Sequence, residues 1–150
     1  MKAALCAIAL TILLRSLPCR GQPPSRSLEK HVAVLIAKMV NRTTEHQAFA
    51  DLEALGCPAV PIIIKQMDDR RNLPDHSITL TNKFPQAFEP QRFYGPEKVV
   101  DALAAILNQM TGEDFGDIFN GGTDAEQTKT VQGWRDFEHK TPVTKLCNGW

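Results

Sequence analysis

Aspartate and histidine stand side by side at Asp75-His76, and two carboxylates stand side by side at Glu113-Asp114. The first pair has the types needed for a general base and its proton partner in a small hydrolase. The second has the types that glycoside hydrolysis needs. In both cases neighbouring residues on a turn or helix point apart, so solvated charge is the simpler expectation. The other histidines, His31, His46 and His139, stand alone and form no His-Glu-x-x-His pair. There is no Gly-x-Ser-x-Gly elbow and no Gly-x-Gly-x-x-Gly fingerprint. The sequence assigns no catalytic residue, no metal ligand and no cofactor.

The segment NQMTGEDFGDIFNGGTDAEQ, Asn108 to Gln127, crowds acids and glycines together. An EF-hand calcium loop places oxygens at alternate positions with glycine sixth. Here Asp114, Asp117, Asn120 and Asp124 are spaced by three or four. A phosphate loop needs lysine directly after its glycines, and Gly121-Gly122 is followed by Thr123-Asp124. The segment therefore reads as a structural turn. Gly112 and Gly116 end helical turns, Phe115 and Ile118 tuck inward, and Thr123 with Glu126 forms a capping box for the next helix.

The chain carries 17 basic and 17 acidic residues. Lys2, Arg15 and Arg20 fall in the first 21 residues, which hold no acid, leaving 14 basic against 17 acidic. That balance argues against a nucleic-acid partner, whose backbone demands a basic face. Lys2, the apolar run Ala3 to Leu14 and the small residues around Cys19-Arg20-Gly21 have the pattern of a cleaved secretory signal over residues 1–21. Twelve apolar residues make about 18 Å of helix, short of the ~30 Å hydrocarbon core. The expectation is a periplasmic or secreted protein with no membrane insertion after cleavage. Cys57 and Cys147 would survive it. They lie too far apart in sequence for a zinc pair but could form an intrachain disulfide in an oxidising compartment. The alternatives are separate thiols, or Cys147 bridging two chains.

The elements that would position these groups are helical. Residues 22–27 read as a linker and 28–150 as one domain. Leu28, Val32, Leu35, Ile36 and Met39 form one apolar stripe. Thr44 and Gln47 predict a capping box for a helix burying Ala48, Phe49, Leu52 and Leu55. Gly56 stops it, and Pro58 restarts a helix of about three turns that turns Val60, Ile63, Ile64 and Met67 inward. The helix around Val99 to Met110 buries Val99, Val100, Leu103, Ile106, Leu107 and Met110, with Lys98, Asp101, Asn108 and Gln109 facing out. Ala125, Val131, Trp134 and Phe137 are the core side of the last helix. Between Asp68 and Gly95 the periodicity fails, except that SITLT alternates like a short strand. Long loops are often functional. Arg70, Arg71, His76, Phe84, Phe88, Arg92, Phe93 and Tyr94 are therefore candidates for contact with a partner. The simpler alternative is that the aromatics pin the loop onto the helices.

AFADLEALGCPAVPIIIKQMDD resembles one helical pair of a HEAT-type repeat, with Leu55-Gly56 as the stop and Pro58-Ala59-Val60-Pro61 as the restart. Thr111-Gly112, Phe115-Gly116 and Trp134 are similar to the closing residues of small bacterial HEAT-like proteins, with Phe137 where a second tryptophan is common. The resemblance implies a compact all-α stack of about five helices with one long irregular loop. It implies no shared catalytic residues. The functional expectation is an exported, non-catalytic module that binds another protein. An immunity or inhibitor protein against a secreted toxin is the narrower alternative, steered by acidic charge. A small hydrolase with the 68–95 loop as lid is the remaining one.

Overall fold

The computed structural model describes residues 25–84 and 87–147. The signal over 1–21 lies outside the described residues. Helix α1 (Arg26–Met39) starts two residues earlier than the linker boundary allows, because the Ser25 hydroxyl accepts from the Leu28 amide at 3.2 Å and caps it. Val32, Leu35, Ile36 and Met39 are its buried stripe, with Leu28 partly buried at its start.

Helix α2 (Glu45–Ala54) buries Ala48, Phe49 and Leu52 as expected. Its capping box does not form. Thr44 takes a backbone conformation outside the extended cap region, its hydroxyl donates to the Lys38 carbonyl, and the Gln47 amide turns to Asp51. Gly56 ends α2 at φ 64° and ψ −165°, an extended backbone of positive φ that a side chain resists, rather than in the left-handed helical cap. A 3₁₀ turn at Cys57–Ala59 leads into α3 (Val60–Lys65), and the chain bends by 103° between α2 and this stretch. The expected three turns are thus about one and a half plus the 3₁₀ turn. The chain is diverted after Lys65 because the Arg71 and Asp69 carbonyls accept from the Val99 and Val100 amides at the head of α4.

Helix α4 (Val99–Thr111) is the centre of the molecule. Every one of its residues is buried, and it packs against α2, α3, α5 and strand β1. This corrects the outward placement of Asp101, Asn108 and Gln109. A helix surrounded on all sides has no solvent face, so its polar groups must find internal partners. Gly112, at φ 78°, closes it. Helix α5 (Asp124–Lys140) carries the expected Thr123–Glu126 capping box, with contacts of 3.3 and 2.8 Å. Val131 and Trp134 are buried and Phe137 packs against them, but Ala125 is exposed. The first turn of α5 stands clear of the core, and burial begins at Gln127, which donates to Asp101.

The fold is mostly helical rather than all-α. SITLT is strand β1 (Ile78–Thr81), and β2 (Gln91–Tyr94) pairs with it antiparallel, Ile78 opposite Tyr94 and Thr81 opposite Gln91. The Cys57 and Cys147 sulfurs are 2.12 Å apart and their Cα atoms 5.9 Å apart, which ties the tail to the α2–α3 corner. Leu146 beside it is buried, a second anchor for the tail. No single helix among the described residues is long and apolar enough to cross a membrane.

Candidate functional site: the hairpin between α3 and α4

Strand alternation divides the hairpin into two faces. Ile78, Leu80 and Tyr94 point into the core, and Arg92 lies beside them half-buried. Thr79, Thr81, Gln91 and Phe93 occupy the other face and are exposed. The inner face is held by a buried side chain that periodicity turned outward. Gln109 donates to the Tyr94 hydroxyl at 2.6 Å, and its carbonyl oxygen accepts from the Lys83 amide at 3.3 Å. One amide on α4 therefore holds both arms of the hairpin. Burial pushes the Tyr94 phenol above its ordinary value, against the hydrogen bond from Gln109. The Tyr94 ring meets Phe119 edge-on at 5.7 Å.

Arg92 stacks between two of the loop aromatics, its guanidinium 5.1 Å from the Phe84 ring and 5.4 Å from the Tyr94 ring. It reaches Asn108 on α4 at 3.5 Å, the outer limit of a hydrogen bond. Lys83 adds an ion pair to the mostly buried Glu53 of α2 at 3.1 Å. Phe84, Arg92 and Tyr94 are thus brought together, and they fasten the hairpin.

Phe88 and Phe93 are not. Phe93 is 71% exposed on the outer face, and Phe88, in the connection between the strands, is fully exposed at 101%. Both are large apolar side chains carried on a segment whose other side is sealed.

The remaining candidates serve elsewhere. Arg70 donates to the Met67 carbonyl at the end of α3. Arg71 grips Asp69 through two nitrogens, at 2.9 and 2.5 Å. Burial would raise the Asp69 carboxyl, but the Arg71 guanidinium and backbone amide together outweigh it and hold the group below its ordinary value. His76 is exposed. Its neighbour Asp75 is 3.1 Å from His46 on α2, so the adjacent acid–base pair is not the pair that forms. The same loop is clamped twice more: Arg42 donates to the Pro74 carbonyl, and the Asp75 amide donates to Glu45. Glu45 is fully buried, and burial raises its carboxyl. Among the described residues no group of three His, Cys, Asp or Glu side chains is placed to hold a metal.

The acid- and glycine-rich segment is a built turn. Asp114 accepts from the Gly116 amide at 2.9 Å, Asn120 accepts from the Gly95 amide at 2.7 Å, and Lys98 reaches Asp124 at 2.8 Å. Sequence reasoning missed Gln109, Asn108, Glu53 and Lys83 as the hairpin's anchors. The available signal was indirect: a tyrosine needing a partner for its hydroxyl and a polar pair in the most apolar helix of the chain. No family model, curated protein or solved structure matches this chain.

Proposed function

We propose that the protein is an exported, non-catalytic helical module, HEAT-like in its helical packing, which binds another protein through the outer face of its hairpin. The observation that carries this is the pair Phe88 and Phe93, exposed to solvent on a hairpin pinned to α2 and α4. Exposed phenylalanine costs solubility, and aromatic side chains concentrate at the centres of protein interfaces. The pinning supports the reading further, because a surface already held in shape loses little freedom on docking. The N-terminal pattern supports export, and a cysteine pair at bonding distance suits an oxidising compartment.

The test is affinity capture from secreted and envelope fractions, wild type beside the double variant Phe88→Ser, Phe93→Ser. The proposal expects a discrete protein to be retained by the wild type and lost from the variant. Retention of the same protein by both would contradict it.

A further inference from the structure

We propose that a cleft beside the C-terminal half of α5 receives an arginine side chain from a partner polypeptide. This inference stands independently of the hairpin reading. The cleft has a volume of about 420 Å³ and lies between the α4–α5 connection, which supplies Glu113 and Phe115, and α5, which supplies Gly133, Asp136, Phe137 and Lys140.

Its wall is aromatic and fixed. Phe115 and Phe137 lie 5.5 Å apart at a tilt of 40°. Trp134, fully buried, meets Phe115 at 4.8 Å and Phe137 at 5.9 Å, edge-on to both. Phe115 lies directly on the helix backbone at Gly133, where a Cβ would come within 2.5 Å of the Phe115 Cβ.

Its charge is negative. Asp136 accepts from Gln132 at 2.7 Å and faces the Lys140 ammonium at 3.6 Å, so the cation in the cleft is already matched. Glu113 has no cationic partner among the described residues. Its backbone is held on both sides, the amide donating to the Thr111 hydroxyl at 3.1 Å and the carbonyl accepting from Asn108 at 2.9 Å. The site therefore offers an exposed carboxylate, carried on a fixed stretch of backbone, beside tilted aromatic rings.

An anion is repelled by Glu113, and an uncharged apolar group leaves that carboxylate unmatched. A cation satisfies both features through the ring quadrupoles and the carboxylate. Guanidinium fits better than ammonium. It is planar, stacks on rings, is more weakly hydrated, and donates to a carboxylate through two parallel N–H bonds.

The test is an NMR titration of the disulfide-intact protein with acetyl-Gly-Gly-Arg-Gly-Gly-amide, beside counterparts carrying citrulline or lysine at the centre. Trp134 emission provides a second readout in a Trp150→Phe background. The arginine peptide should give saturable shifts at the Gly133 and Phe115 amides and change Trp134 emission. Affinity should fall roughly fivefold or more with citrulline, with lysine, or in Glu113→Gln, the change that about 1 kcal/mol of lost charge contact produces. Absence of saturable shifts at Gly133 and Phe115 would overturn the proposal. So would binding unchanged by citrulline or by Glu113→Gln, and equal binding of lysine would overturn the assignment to arginine.

Discussion

Replacing Asp101 with alanine tests how the centre of the fold is held. Asp101 is fully buried in the first turn of α4. Its carboxylate accepts from the Lys98 amide at 2.9 Å, the Glu97 amide at 3.2 Å and the Gln127 side-chain nitrogen at 2.8 Å. Gln127 is also fully buried, and its own carbonyl oxygen has no partner. Asp101→Ala therefore strips the amide of its one bond and removes a helix cap. A buried unsatisfied amide costs ~1–3 kcal/mol, and a lost cap costs ~1 kcal/mol. The expected destabilisation is about 2–4 kcal/mol. The Gln127→Leu change in that background should recover part of it, because removing both partners of a buried bond is far cheaper than removing one. A double-mutant cycle from urea unfolding should then show a coupling on the order of 1–2 kcal/mol at unchanged m-value. Burial raises the Asp101 carboxyl against these hydrogen bonds, so its folded form holds its proton more tightly than the unfolded chain does. Its share of stability thus does not fall as pH drops through the carboxylate range. A cost below about 0.5 kcal/mol for Asp101→Ala, the level of an ordinary surface change, would refute the reasoning.

Reducing the Cys57–Cys147 bond, which spans a separation of 90 residues, should lower the melting temperature. The loop-entropy ceiling is roughly 4–5 kcal/mol, and thiol titration of the protein cleaved of residues 1–21, and so of Cys6 and Cys19, should find no free thiol before reduction. Gly133→Ala should destabilise by about 1 kcal/mol net, since displacing Phe115 costs ~1–3 kcal/mol and the helix regains roughly 1; equilibrium unfolding checks it, and a gain in stability would show the Phe115 contact to be soft. The Glu45 carboxyl is raised from its ordinary value of 4.5, chiefly by burial, so the folded state favours the protonated form and loses stability as pH rises through the group's range. Glu45→Gln keeps an acceptor for the Asp75 amide and should exceed the wild type in melting temperature at neutral pH, with the gap closing in acid. A gap that widens in acid would reverse the sign of this argument.

The helices were legible because their apolar positions repeat at helical spacing and their ends carry strong signals. Gly56 and Gly112 both take a positive φ, Gly112 in the left-handed helical conformation, and Thr123 and Glu126 cap α5. The outward placement of the polar residues of α4 failed for a physical reason. Periodicity assumes that polar means outward, and α4 has no outward side. Asp101, Asn108 and Gln109 meet partners in the segments around α4: Asp101 the Glu97 and Lys98 amides and Gln127, Asn108 the Glu113 carbonyl and Arg92, and Gln109 the Tyr94 hydroxyl and the Lys83 amide. The hairpin was half visible for a similar reason. Ile78, Leu80 and the alternating threonines mark β1, whereas QRFY has a half-buried arginine on its inner face and hides the period of two. The candidate residues rest on their place in the long loop and on their type. Structure divides them three ways: Phe84, Arg92 and Tyr94 fasten the hairpin, Phe88 and Phe93 stand exposed, and Arg70, Arg71 and His76 lie outside the hairpin.

The central claim is that the outer face of the hairpin meets a protein. The most direct measurement is photo-crosslinking in the producing cells, with benzoyl-phenylalanine in place of Phe93 and, as the control, in place of Val34, an exposed apolar residue of α1. The account predicts a discrete, light-dependent adduct of higher mass at position 93 and none at 34. No adduct at 93, or the same adduct from both positions, would contradict it.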